Sequence, residues 1–245
     1  MKLSAARECS PDHIHIWADV LAQSVTGELI GALNYETLAE LHEDPAERTE
    51  ALEHAAGERG HAALFTAAGR ALGIDVAFNP EARYWKRIRS VFLLRAEAGD
   101  LTGCIVAQEV MMESFAVGSY GTVARVAPPE LGSVFARIAA QEEEHVAHAV
   151  KMLRAERVAE PDGFDAGVRR MHEGIMTTLA EMLLQNNADC ACDLCPGGCL
   201  KPSLPAVNVS LRGVRGATLR CYLKTLDEIG VPGELSLTWV AQLPV

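Results

Sequence analysis

The sequence predicts an all-α protein centred on a bundle of four long helices, and three observations carry that expectation. From about residue 12 to 158, apolar and small residues recur at steps of three and four, as the buried stripe of a helix does. Nothing in that stretch alternates with period two. Helix breakers gather at His42-Glu43-Asp44-Pro45, at Gly73 through Pro80, at Gly99-Asp100 and at Pro128-Pro129. Those breaks delimit four long helices and one shorter helix from roughly Pro80 to Ala98.

Each long helix has an apolar seam with a period near 3.5. The first runs through Trp17, Leu21, Ser24, Glu28, Gly31, Tyr35 and Leu38. The second runs through Ala51, Ala55, Glu58, Ala62, Phe65, Gly69 and Leu72, with His61 one turn on from Glu58. The third passes Val106, Glu113, Val117 and Tyr120, and the fourth Leu131, Phe135, Ile138, Glu142, His145, Ala149 and Met152. Each helix therefore turns a carboxylate toward its apolar side. The short helix carries Arg83, Lys86, Arg87, Arg89 and Arg95, read first as a solvated face. A further helix is expected from Phe164 to about Leu184, with Val168, Met171, Ile175, Leu179 and Met182 along one face. Residues 188–207 hold Cys190, Cys192, Cys195 and Cys199 among prolines and glycines, a composition that reads as an inserted loop. A last helix is expected from about Gly216 to Glu228, closed by Gly230.

The chain of 245 residues is read as one domain, 49% hydrophobic and 22% charged, with a net charge of −11. No apolar run is long and uncharged enough to span a membrane. The negative charge repels nucleic acid and anionic lipid. The first residues lack the apolar segment of a secretory signal, so the protein is expected to be cytoplasmic.

An ionised carboxylate withdrawn from water costs several kcal/mol unless it is paired or binds a metal. Four in one core call for cations. One glutamate from each of two helices plus Glu-x-x-His from each of the other two is the donor pattern of di-iron and di-manganese bundles, because positions i and i+3 point the same way. The six candidate ligands are Glu28, Glu58, His61, Glu113, Glu142 and His145.

At these residues the sequence resembles the ferritin-like di-iron oxygenases, and within them the aldehyde-deformylating oxygenases, or cyanobacterial aldehyde decarbonylases. Glu58-Arg59-Gly60-His61, followed by Phe65 through Arg70 and Leu72-Gly73, is similar to that family's second metal helix. Met111 through Ala116, continuing to Ser119-Tyr120 and preceded by Gln108, is similar to its third. Tyr222 through Gly230 is similar to its terminal helix. The resemblance implies a ferritin-like fold and two iron ions, one held by Glu28 and His61, the other by Glu113 and His145, with Glu58 and Glu142 bridging. It implies an O2-dependent oxidoreductase that shortens a fatty aldehyde by one carbon, releases formate and draws electrons from an external donor such as a ferredoxin or reductase. Tyr35, Gln108 and Tyr120 would serve the reaction by hydrogen bonding or proton donation; for the two tyrosines, a core position with a satisfied hydroxyl is the other reading. Gly31, Ala32, Ala62, Phe65, Phe115, Ala116 and Val117 would line a channel for a small-molecule substrate; plain core packing is the commoner use of such residues and the other reading. The basic stretch from Arg83 to Arg95 offers a dock for an acidic donor.

The sequence departs from the family pattern in three places. Ala68 stands where the family has cysteine, Val123 stands where it has tyrosine, and the cysteine loop is extra. Oxygenation of an amine or hydrazine therefore remains an alternative to aldehyde chemistry, and a non-enzymatic metal-binding or ferroxidase role is a third reading. A monomer or homodimer is expected for an enzyme, against a shell for iron storage. The four clustered cysteines have the number and glycine-rich spacing for a structural zinc; disulfides or free thiols, and an iron–sulfur or redox role, are the other readings. Cys9, Cys104 and Cys221 read as inert small residues. His148 extends the fourth motif by one turn and is expected to face solvent, with a supporting role toward the metals, or that of a seventh ligand, as the other readings.

Overall fold

A computed structural model describes residues 13–184 and 201–245, and the described residues contain helices and no strands. The four clustered cysteines, with their zinc reading, and Cys9 lie outside the described residues. Helix α1 spans Ile14–Leu41, α2 Pro45–Ala71 and α3 Arg83–Glu97. Leu101–Ile105 is α4, Glu113–Ala124 is α5, and a π-helical segment, Val106–Met112, joins them into one rod. Helix α6 spans Pro129–Ala159. All four expected breaks fall between helices.

Local chemistry sets these boundaries. Asp44 caps α2 by accepting from the backbone N–H of Ala46 at 2.8 Å, and Pro45 occupies the first turn, where no N–H is needed. Asp100 caps α4 by accepting from the N–H of Gly103 at 2.8 Å. Pro128 and Pro129 open α6. Helices α1, α2, α4–α5 and α6 form the four-helix bundle of the ferritin-like fold: α1 lies along α2, and α5 lies between α6 and a later helix, Leu211–Ile229.

The expected helix from Phe164 to Leu184 is present as α7 (Pro161–Met171), a second π-helical segment (His172–Met176) and α8 (Thr177–Met182). Lys201–Val207 forms a 3₁₀ helix, where the composition had predicted only loop. Helix α9 spans Leu211–Ile229, starting five residues before the expected Gly216 because Ser210 caps it through the N–H of Gly213 at 3.2 Å. Gly230 ends it in the left-handed region at φ 102°. Gly233–Ala241, unforeseen in the sequence, is α10. Helices α5 and α9 approach so closely that a Cβ on Gly118 would sit 2.4 Å from the backbone nitrogen of Thr218. Among the described residues no helix is long and apolar enough to cross a membrane.

The basic run on α3 is largely committed inside the chain. Lys86 pairs with Glu81, Arg87 with Glu181 and Arg95 with Asp100, while Arg89 donates to Asn34 Oδ1 at 2.6 Å. It is therefore neither a bare cationic face nor wholly solvated.

Candidate metal centre

Glu28 on α1, Glu58 and His61 on α2, Glu113 at the head of α5, and Glu142 and His145 on α6 are all buried. They form two overlapping groups: Glu28, Glu58, His61 and Glu142; and Glu58, Glu113, Glu142 and His145. Within each group, one donor atom from every residue lies within 4.8 Å of the others. Glu58 and Glu142 belong to both groups. All six sequence-derived ligand candidates are thus brought together, because i, i+3 spacing on α2 and α6 turns each carboxylate–imidazole pair toward the bundle axis.

The contacts favour a cation at the centre. His61 Nδ1 is 3.0 Å from both Glu28 Oε2 and Glu142 Oε1. His145 Nδ1 is 2.9 Å from Glu142 Oε2 and 3.4 Å from Glu58 Oε1. Even so, Glu58 Oε1, both oxygens of Glu142 and His145 Nδ1 make no well-directed hydrogen bond among the described residues. These atoms are close yet misaligned for one another, as lone pairs aimed at a shared ion would be. Six nitrogen and oxygen donors, with two carboxylates common to both groups, fit two divalent ions such as iron or manganese.

The protonation pattern shows how strongly the set depends on positive charge. Burial, then repulsion from Glu142, raises the pKa of Glu58 and of Glu113 well above the usual carboxylate range, and the same two causes raise Glu28. Burial opposes ionisation of Glu142 as well, but the close imidazoles of His145 and His61, at 2.9 and 3.0 Å, overcome it and hold Glu142 at about 2. Burial likewise opposes protonation of His61, yet Glu142 and Glu28 lift it to about 10.

A hydrogen-bonded sleeve fixes the carboxylates. The Tyr120 hydroxyl donates to Glu28 Oε1, and the Tyr35 hydroxyl donates to Glu113 Oε1 at 3.1 Å. Gln108 Nε2 donates to Glu113 Oε1 at 2.7 Å; its own oxygen accepts from Asn34 Nδ2 at 2.7 Å, and Asn34 accepts from Arg89. Burial and the neighbouring carboxylates push both tyrosines well above their ordinary pKa, so each hydroxyl keeps its proton. Gln108 meets Glu113 five positions on because the intervening helix is π, whose i→i+5 repeat puts such residues on one face. The 3.6-residue reading of the third helix missed that register. Gly31 is also required here: a Cβ at that position would meet Glu58 Oε2 at 3.1 Å and Gln108 Nε2 at 3.3 Å.

His148 corrects the sequence reading. Rather than facing solvent, it is largely buried, with Nδ1 3.1 Å from Glu109 Oε2 and Nε2 3.1 Å from Glu47 Oε2. Glu109 is a buried acid within the π segment. Together with Glu47, Glu50 and His54 it was not singled out in the sequence. The signal was available on α2, where 47, 50, 54, 58 and 61 follow one helical face.

A mostly apolar cavity of about 160 Å³ opens onto Glu28, Glu58 and Glu113. Met112, Phe115, Ala116, Val123 and Phe135 form part of its wall, and Leu204 and Val214 contribute from the C-terminal region. Of the seven expected channel residues, Phe115 and Ala116 line it. Gly31, Ala32, Ala62, Phe65 and Val117 do not: Gly31 abuts Glu58, and Phe65 packs edge-on against Tyr120 at 5.3 Å between ring centres. Cys104 is a buried free thiol and Cys221 a partly buried one, as expected of inert cysteines.

A family model described as long-chain fatty aldehyde decarbonylase matches residues 13–191, most of the chain and all six donors. The chain belongs to that family. No curated relative matches it in sequence. Among solved structures, this decarbonylase-family chain is similar to "Protein 19 with aldehyde deformylating oxidase activity from Synechococcus". The TM-score is 0.78 at 18% identity, over 95% of this chain and 98% of that one. At that identity the likeness is one of fold. In this member of the family Val123 contributes to the cavity wall, and Ala68 packs against the apolar cluster that contains Phe65 and Phe135.

Proposed function

We propose that this member of the aldehyde decarbonylase family is an O2-dependent oxidoreductase that holds two iron ions and acts on an aldehyde lodged in the apolar cavity. The observation that carries the reading is that the cavity ends on Glu28, Glu58 and Glu113, half of the donor set, so an organic molecule inside it places one end at the metals. Glu28 and His61 would hold one ion and Glu113 and His145 the other, with Glu58 and Glu142 shared. When bound, the iron pair supplies dioxygen activation and electron transfer.

The chain's own residues do the rest. Phe115, Phe135 and Val123 keep water from the reacting end and bind the alkyl part of the substrate. Tyr120 holds one oxygen of Glu28, and Tyr35 and Gln108 hold one oxygen of Glu113, which fixes the orientation of both carboxylates. Both tyrosines keep their protons, so they would act on the bound group through Glu28 and Glu113, as hydrogen-bond donors to those carboxylates. The electrons would come from an external ferredoxin or reductase, as the family resemblance implies. The apolar cavity favours an organic substrate over iron storage, which needs a hydrophilic route.

The test is anaerobic loading with two equivalents of Fe(II), followed by oxygen, a chemical reductant and a series of straight-chain aldehydes. Formate released in step with a hydrocarbon one carbon shorter is the expected result. Oxygen uptake stimulated by amines or hydrazines and not by aldehydes would transfer the reading to nitrogen oxygenation. Uptake indifferent to every organic compound would leave only ferroxidase chemistry.

A further inference from the structure

We propose that Glu50, His54 and His148, with Glu47 beside them, form a third divalent-cation site at the more exposed end of the bundle, which stages ions for the inner centre. A carboxylate oxygen of Glu50 and a ring nitrogen from each histidine lie within 4.8 Å of one another, the same convergence seen in the two inner groups. His148 Nε2 is also 3.1 Å from Glu47 Oε2 and 3.5 Å from Glu50 Oε2, so that nitrogen faces two carboxylates. Its other nitrogen is held at 3.1 Å by Glu109, a carboxylate only 2% exposed. A carboxylate on the far nitrogen of an imidazole is the arrangement that orients a ligating histidine and raises its basicity. His54 adds a second observation: its Nδ1 is buried and has no hydrogen-bond partner among the described residues.

The site is continuous with the centre inside. Glu47, Glu50, His54, Glu58 and His61 descend one face of α2, and His148, His145 and Glu142 descend the facing stripe of α6. The rings of His54 and His145 are 4.2 Å apart, so the outer and inner donor sets are separated by a single pair of imidazoles. Side-chain exposure falls along the route from 45% at Glu50 to 12% at His148 and 0% at Glu142. An ion captured by the half-exposed carboxylates can therefore be handed inward from imidazole to imidazole. Two imidazoles and two carboxylates suit Fe(II), Mn(II) or Zn(II). The staging role rests on the inner centre being a metal site; the third site itself does not.

Mn(II) is the discriminating probe, because thiolates bind it poorly and the cysteine loop will not be counted. Equilibrium dialysis of the full chain is expected to give three Mn(II) per chain. Glu50→Gln and the His54→Ala/His148→Ala double variant are expected to weaken the third ion at least tenfold while retaining two. Anomalous diffraction from Mn(II)-soaked crystals of the unaltered protein should place an ion between Glu50, His54 and His148. A map with no ion there at saturating Mn(II) overturns the site, whatever the variants do. Mixing experiments then test staging: the double variant should fill the inner positions at least tenfold more slowly but to the same final occupancy. Equal filling rates would overturn the staging role. Mn(II) found at the outer position alone would remove the di-metal reading of the inner groups and leave the third site standing.

Discussion

Replacing Gly31 by alanine separates the fold from the metal centre within one variant. A mid-helix Gly→Ala exchange at a relaxed position stabilises a protein by about 0.5–1 kcal/mol, because the unfolded chain loses freedom. The new methyl would sit 3.1 Å from Glu58 Oε2 and 3.3 Å from Gln108 Nε2, a few tenths of an ångström inside ordinary contact. Both atoms are side-chain ends, and Glu58 borders the cavity, so in the metal-free protein the carboxylate can swing away. The metal-free melting temperature should therefore stay level or rise by about 2–4 °C. With metal bound the carboxylate would have less room to yield, because Glu58 belongs to both donor groups. Displaced supporting or ligand groups typically weaken metal binding roughly 10–100-fold, which removes about 1.4–2.7 kcal/mol from the metal-dependent stabilisation. Thermal melts with and without Fe(II) or Mn(II), together with a metal titration, read both effects. Unchanged metal affinity alongside a stabilised metal-free protein would show that Glu58 does not stand against Gly31 as a ligand.

Other substitutions bear on the same structure. Glu113→Ala should bind about one inner ion per chain, whereas Glu142→Ala, which removes a carboxylate common to both groups, should bind less than one; elemental analysis with equal occupancy in the two variants would refute the shared role. Ala116→Phe fills part of the cavity and should raise KM for long aldehydes while sparing short ones, as measured by product chromatography across chain length. Gly118→Ala forces a methyl against the backbone of Thr218 and should cost about 1–3 kcal/mol in urea unfolding, with metal stoichiometry intact. Burial keeps His172 below its ordinary pKa: its Nε2 lies 3.1 Å from the Trp239 carbonyl, which can only accept, so Nδ1 accepts from the Tyr222 hydroxyl at 3.2 Å. Below about pH 6.5 the unfolded histidine takes up a proton that the folded one resists, so stability falls with pH, and His172→Gln should flatten that slope between pH 7 and 5.5. Equal slopes in both proteins would contradict it.

How much was legible in advance follows from what helical periodicity can report. Breaks such as Asp44-Pro45 and Pro128-Pro129 act within one turn, so they appear in the sequence where they act in the chain. Glu-x-x-His on α2 and α6 is equally local, and those two pairs with the lone Glu28 and Glu113 were enough to name all six donors. The substrate wall was not local. Phe65 and Ala62 share the face of α2 that carries Glu58 and His61, yet they pack into the core, while Leu204 and Val214, distant in sequence, close the cavity.

The sequence by itself determined the helical fold, its breaks and the six candidate donors that the fold brings together, because each depends on spacing within a single helix. Only the tertiary structure decided which apolar residues face empty space, that His148 turns inward, and that Glu109 comes to meet it. Those outcomes depend on a π-helical change of register and on contacts between helices far apart in the chain. A one-dimensional period of 3.6 residues carries information about neither.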